Sequence, residues 1–79
     1  MPLLRFSDHA LEQMAVRGIE PADAEAVFVR PAKTVAGKRG GINYYGYGPL
    51  SGYRIRVTVY RGSTVATVAW ADRRRKEMR

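Results

Sequence analysis

The stretch Tyr53-Arg-Ile-Arg-Val-Thr-Val-Tyr60 decides the fold, because polar and apolar residues alternate along it. This period is typical of a β-strand with one buried and one exposed face. The apolar set, predicted to face a core, comprises Ile55, Val57 and Val59. The other set, predicted to share the opposite face, comprises Arg54, Arg56, Thr58 and Tyr60.

Shorter β-prone segments on both sides extend this strand into an antiparallel meander. Residues 33–36 and 42–48 precede it, joined by a glycine-rich hairpin turn at 37–41. Gly46 inside the second segment indicates a bulge or a close approach of another backbone. Residues 64–71 follow a tight turn and carry apolar residues on both faces, which predicts a position inside the sheet.

The beginning of the chain has the period of helices. Ser7 and Asp8 suit an N-cap, and apolar residues recur three and four positions apart after them. Gly18 stands where a terminating glycine would, and Pro21 suits the first turn of a second helix that Pro31 ends. The sequence therefore predicts two short helices packed as a pair.

These segments predict a single α+β domain with three parts. They are a helical pair at 1–31, an antiparallel meander at 32–71, and a basic tail, either a short helix or an arm, at 72–79. Two helices on one face of a four-stranded antiparallel sheet leave the other face open to solvent. Arg54 and Arg56 are expected on that open face.

Composition limits the class of protein. The chain has no cysteine, which excludes disulfides and zinc ribbons and fits a reducing compartment. Arg5 and Asp8 interrupt the apolar start, so the sequence predicts neither a signal peptide nor a membrane span. We expect a soluble, cytoplasmic protein, with monomer and homodimer both left open.

Positive charge is concentrated in the predicted sheet and tail. Of the formal net charge of +7, residues 1–29 carry −3 and residues 30–79 carry +10. A basic chain with its cations gathered in one part is typical of a polyanion binder. The remaining alternative is a positive charge that serves only solubility.

Several side chains predict contacts with RNA. Arg54 and Arg56, two positions apart on one strand, should lie about 6.6 Å apart, near the spacing of adjacent phosphates. Tyrosines beside arginines on a sheet suit base stacking with phosphate neutralisation. A solvated outer face with ordinary strand-forming tyrosines is the alternative. The RNA-binding candidates beside the arginine pair are Lys33, Tyr45, Tyr47, Tyr60 and Arg74.

Catalytic candidates are fewer. His9, the only histidine, falls in a first helical turn, where a neutral imidazole could act as a general base or simply pack. Arg73 emerges from the last strand and could be directed at the sheet face. Asp72 is the only acid between residues 26 and 76, which argues against a metal-dependent nuclease on this face.

Two families resemble this chain. Phe6-Ser-Asp-His-Ala10 and Arg17-Gly-Ile19 resemble an uncharacterised bacterial family of small domains, a domain of unknown function with an F-S-x-H-A…R-G-I opening, although Gln13 replaces its usual arginine. The chain is also similar to the BrnT toxins. The similar segments are the G-I start at 18–19, the V-F-x-x-P helix end at 27–31, the tyrosine-glycine strand at 45–47, the arginine-valine strand at 54–60 and A-x-R-R at 71–74.

This resemblance implies a RelE/barnase-like fold and a ribonuclease toxin without metal or cofactor. In such toxins a 2′-hydroxyl attacks the adjacent phosphate and leaves a 2′,3′-cyclic phosphate, and a cognate antitoxin protein inhibits the reaction. Arg54 or Arg56, with Arg73 or Arg74, would stabilise the phosphate. His9 or Lys33 would be the general base. The alternatives are a non-catalytic RNA- or DNA-binding module and a protein-interaction domain whose basic face meets an acidic partner.

Overall fold

The computed structural model describes residues 4–75, with the backbone alone for residues 72–75. Two helices and five strands make up this part of the chain. In order they are β1 (Arg5–Phe6), α1 (Asp8–Arg17), α2 (Pro21–Val29), β2 (Lys33–Ala36), β3 (Ile42–Tyr47), β4 (Tyr53–Tyr60) and β5 (Thr64–Arg75). The predicted α+β class with two N-terminal helices is confirmed.

The sheet has one more strand than the sequence predicts. Its order is β1-β5-β4-β3-β2, and β1 runs parallel to β5 while the other pairs are antiparallel. The backbone N–H of Arg5 donates to the carbonyl of Ser63 at 2.8 Å, and that of Ser7 donates to Val65 at 3.1 Å. Two residues are too few to show an alternating pattern, so β1 escapes detection in the sequence. The sheet is therefore mixed, and the prediction of four antiparallel strands was wrong.

The last strand also runs further than predicted. β5 continues to Arg75, whose register partner is Tyr53 of β4. It lies between β1 and β4, as its apolar pattern predicts. Residues 72–75 are thus extended rather than helical, while residues 76–79 of the predicted tail lie outside the described residues.

The helix ends follow the predicted capping chemistry. The Ser7 hydroxyl accepts a hydrogen bond from the Ala10 N–H at 3.0 Å, which satisfies a donor that the first helical turn leaves free. Gly18 adopts the left-handed conformation (φ 73°) that ends α1. Pro21 begins α2, and the helix ends at Val29, before Pro31.

The core lies between the helices and one face of β4 and β5. Ile55, Val57 and Val59 are each at most 2% exposed, as the alternating pattern predicts. The pairing of β3 with β4 is regular at Gly46, without the predicted bulge, and a Cβ there would meet the Val27 side chain of α2 at 3.4 Å, an ordinary contact distance. The buried apolar set as a whole is Leu4, Ala10, Met14, Ile19, Ala24, Val27, Ile55, Val57, Val59, Val65 and Val68.

A buried carboxylate fastens α2 to the turn between β3 and β4. Asp23 is fully buried and accepts hydrogen bonds from the backbone N–H of Leu50 at 2.8 Å and of Ser51 at 3.0 Å. Gly48 lies against the same carboxylate, with no space for a Cβ. This arrangement fixes where β4 begins and hence where its polar face points.

Candidate nucleic-acid interface

The face of the sheet opposite the helices carries the predicted polar side chains. We call it the open face, and in the described residues of β2, β3 and β4 it comprises Lys33, Val35, Asn43, Tyr45, Tyr47, Arg54, Arg56, Thr58 and Tyr60. Strand pairing places Lys33 opposite Tyr45 and Tyr45 opposite Arg56, so three candidates form one row across the sheet. Tyr47 lies opposite Arg54 in the next row.

Tyr45 is the centre of the basic part of this face. The Lys33 ammonium lies 5.2 Å from its ring centroid, and the guanidinium carbon of Arg54 lies 5.5 Å from it. Both distances are within the range of cation–π attraction. One aromatic ring thus lies against two cations, which concentrates positive charge at this point of the open face.

Arg56 lies in the row of Lys33 and Tyr45, on the same side of β4 as Arg54. Its side chain is half-buried, and its Nε is shielded from solvent with no hydrogen-bond partner in the described part of the chain. A buried donor without a partner costs about 1–3 kcal/mol, and neighbouring like charges add repulsion. A bound anion beside the guanidinium would relieve the repulsion, so Arg56 is a favourable place for an acceptor to bind.

The other two tyrosines flank this basic centre. Tyr47 is 38% exposed near the end of β3. The Tyr60 ring lies over Gly41, where a Cβ would be only 2.6 Å from the Tyr60 Cε1 atom. The absent side chain of Gly41 therefore allows the Tyr60 ring to lie flat against the sheet.

A concavity of about 600 Å³ opens between the β2–β3 hairpin and β4. Within it the Thr58 hydroxyl donates to the Asn43 Oδ1 at 2.7 Å, a bond between directly opposed residues of β4 and β3. Its lining residues are Ala36, Gly37, Lys38, Asn43, Arg56, Thr58 and Tyr60. The sequence analysis did not select Asn43, although its position two residues before Tyr45 places both on the same face.

The two candidate bases lie in different parts of the fold. His9 is exposed in the first turn of α1, within the helical layer on the core side of the sheet. Lys33 is on the open face with Arg56 and Tyr45. The structure therefore brings Lys33, and not His9, together with the arginine pair.

The remaining candidates belong to the end of β5. The backbones of Arg73 and Arg74 continue that strand, but their side chains lie outside the described residues. Within residues 4–75, no group of three or more His, Cys, Asp or Glu side chains could hold a metal ion. Neither described helix is long and apolar enough to cross a membrane.

Comparison with known proteins identifies no relative of this chain. No family model matches it, and searches of the curated proteins and of the solved structures return no match. Function is therefore inferred from the chemistry of the open face and from the resemblance noted in the sequence.

Proposed function

We propose that the open face binds single-stranded RNA and that the chain is a metal-independent ribonuclease toxin of the RelE/BrnT type. The observation that carries the proposal is the position of Tyr45, which has the Lys33 ammonium and the Arg54 guanidinium against its ring and Arg56 beside it in register. An aromatic platform surrounded by cations suits the two repeating parts of a nucleic acid strand, its bases and its phosphates.

Different side chains of the open face would bind the phosphates and the bases of the RNA. Arg54 and Arg56 point to the same side about 6.6 Å apart along β4, a spacing that suits successive phosphates of an extended strand. The half-buried ring of Tyr45 offers a surface for a base. Single-stranded RNA is favoured over a duplex because only unpaired bases can be turned outward to stack on a sheet.

Cleavage would follow from the same side chains. The RNA 2′-oxygen forms a bond to the adjacent phosphorus, and the bond from phosphorus to the 5′-oxygen breaks. Lys33 is the candidate on this face to accept the proton of the 2′-hydroxyl, and the Tyr47 hydroxyl would donate a proton to the leaving oxygen. Arg54 and Arg56 stabilise the negative charge that develops on the phosphate oxygens.

The proposal includes the finer features that the resemblance implies. They are a RelE/barnase-like fold, a cytoplasmic location and an antitoxin protein that covers the open face. A cognate antitoxin with acidic side chains would complement the net charge of +10 on residues 30–79.

Non-catalytic RNA binding is the second candidate. The observation in its favour is that the open face defined above holds neither a histidine nor a carboxylate, the side chains that most often serve as general bases. This candidate keeps the same surface and the same binding groups. The two candidates differ only in whether bound RNA is cut.

The test uses purified protein, a labelled single-stranded RNA and EDTA. Binding is followed by fluorescence anisotropy at increasing KCl, and cleavage by gel, with end analysis of the products. Affinity that falls steeply with salt, together with 2′,3′-cyclic phosphate ends, supports the full proposal. Salt-dependent binding without products leaves the second candidate, and RNA that does not bind at low salt contradicts both.

A further inference from the structure

The concavity beside the row of Lys33, Tyr45 and Arg56 has a hydrogen-bonding pattern of its own. The Asn43 Oδ1 is engaged by the Thr58 hydroxyl at 2.7 Å, so the amide of Asn43 can offer only its NH₂ group as a donor. Because the Thr58 hydroxyl donates its hydrogen to Asn43, its oxygen lone pairs are left as an acceptor. Among the described residues, no side chain or backbone group accepts from the Asn43 NH₂.

Arg56 adds a second donor next to Thr58 along β4. The two residues are neighbours on the same face of β4, and both line the concavity. The guanidinium of Arg56 carries terminal N–H groups that can act as donors in the concavity that this residue lines. From Asn43 through Thr58 to Arg56, the wall of the concavity therefore reads donor, acceptor, donor.

Among the four RNA bases, one has the complementary edge. The Watson–Crick edge of uracil presents a carbonyl oxygen, the N3–H and a second carbonyl oxygen, that is, acceptor, donor, acceptor. Cytosine and adenine present an amino donor beside a ring-nitrogen acceptor, and guanine presents one acceptor followed by two donors. Each of these three bases would leave at least one group of the wall unmatched, which costs affinity in a shielded site.

An aromatic ring lies where it could stack on such a base. Tyr60 follows Thr58 on the open face of β4 and lines the same concavity. Its ring is held against Gly41, where no side chain competes for the space. Single-stranded RNA is commonly read in this way, with a base stacked on an aromatic ring and hydrogen-bonded through its Watson–Crick edge.

We propose that this concavity is a uracil-recognition pocket, in which Asn43, Thr58 and Arg56 read the base edge and Tyr60 stacks on its ring. This inference rests on the proposed RNA binding and adds the base that the protein selects. The pocket adjoins the row of Arg56, Tyr45 and Lys33, so a strand held there by its phosphates can place one base in it.

The experiment compares uracil with the other bases while preventing cleavage. The probes are fluorescein-labelled 2′-O-methyl oligonucleotides of equal length, composed of U, C, A or N3-methyl-U. Oligo(U) is expected to bind about tenfold more tightly than oligo(C) or oligo(A), within the range of a good two-point base contact. N3-methylation removes the N3–H and should abolish this preference without any change in the protein.

Two matched variants assign the preference to the pocket. Thr58→Val keeps the branched shape but removes the acceptor and the bond to Asn43, and should reduce the preference for oligo(U) to about twofold or less. Thr67→Val makes the same substitution in the residue that faces Thr58 on β5, outside the pocket, and should retain it.

Three results would overturn the inference. They are equal binding of oligo(U) and oligo(C), an undiminished preference with N3-methyl-U, and equal loss of preference in the two threonine variants. In each case RNA still binds, so the proposed function stands. If none of the four oligonucleotides binds to the wild-type protein, the proposed function itself is contradicted and the pocket with it.

Discussion

The two faces of β4 differ in the polarity and the burial of their side chains, although they belong to one strand of eight residues. On the core face, Ile55, Val57 and Val59 are at most 2% exposed and contact the helical layer. On the open face, Arg54 and Arg56 are half-buried beside tyrosines, and neither of the described helices lies on that side of the sheet. Alternation of side chains along a strand thus separates the residues that stabilise the fold from those that can bind a ligand.

This separation means that substitutions on the two faces should have different consequences. A change on the core face should lower the free energy of unfolding and affect RNA only through loss of folded protein. A change on the open face should alter RNA binding in a protein that remains folded. Three variants test the separation and a fourth tests the turn that begins β4, and they follow from the largest expected effect to the smallest.

Ile55→Ala should be the most damaging substitution. Ile55 is 0% exposed at the centre of the core, and removing a buried isoleucine side chain beyond its Cβ costs about 2–5 kcal/mol. A domain of this size has only a few kcal/mol of stability to lose, so much of the variant should be unfolded. Urea unfolding followed by circular dichroism measures the loss. A midpoint equal to that of the wild-type protein would contradict the assignment of this face to the core.

Replacing both open-face arginines should affect binding instead. The Arg54→Gln/Arg56→Gln variant loses two charge-assisted contacts to phosphates, and we expect RNA affinity to fall roughly thirtyfold, about 2 kcal/mol. The slope of log affinity against log salt should become shallower by about 1.4, since each phosphate contact with a single strand contributes about 0.7. Anisotropy titrations at several KCl concentrations measure both quantities.

The control for this variant removes the same charge elsewhere. Arg30 and Arg61 are exposed at the end of α2 and in the turn after β4. The Arg30→Gln/Arg61→Gln variant should therefore weaken RNA binding only slightly, through the lower net charge. If both double variants lose affinity equally, the binding comes from overall charge and the open face has no special role.

The sequence predicted the division between the two faces because alternation requires only local information. The apolar set of β4 and the common face of Arg54 and Arg56 both follow from a period of two. The helix ends were predictable for a similar reason, since Ser7 and Gly18 act on the backbone next to them. Patterns within a few residues were enough for these features.

Features that depend on contacts distant in the sequence were not predictable in this way. β1 is defined only by its pairing with β5, and nothing within Arg5–Phe6 indicates a strand. The wall of the concavity required the β3–β4 register that places Asn43 opposite Thr58. His9 was one of two candidate bases, and the packing of α1 places it on the helical side of the sheet.

The link between Asp23 and Gly48 is another feature of this kind, and it can be tested directly. A Cβ at position 48 would overlap the buried carboxylate of Asp23, so Gly48→Ala must displace the turn that begins β4. We expect a loss of about 1–3 kcal/mol in the free energy of unfolding, typical of overpacking. Thermal unfolding measures it.

Gly37→Ala is the matched control for the Gly48 variant. A Cβ at position 37 would first meet the amide nitrogen of Asn43 at 3.3 Å, and this is the movable end of a side chain. Its stability should therefore change by less than that of Gly48→Ala. An equal loss in both variants would mean that glycine itself, and not the space beside Asp23, matters at these positions.

The smallest expected effect gives the sharpest test, because it compares adjacent tyrosines on opposite faces of β3. Tyr45 lies on the open face against Lys33 and Arg54, whereas Tyr44 packs on Phe28 with 4.9 Å between ring centroids. Tyr45→Leu keeps an apolar side chain but removes the stacking surface, and should weaken RNA binding about fivefold, near the lower limit for one stacked base. Tyr44→Leu should lower the unfolding midpoint and leave the affinity of the folded protein unchanged.

Because the two variants have identical composition and net charge, any difference between them must come from the face on which the ring lies. If instead Tyr44→Leu weakened RNA binding and Tyr45→Leu did not, the RNA would have to contact the helical side of the sheet, and the open face would lose its proposed role.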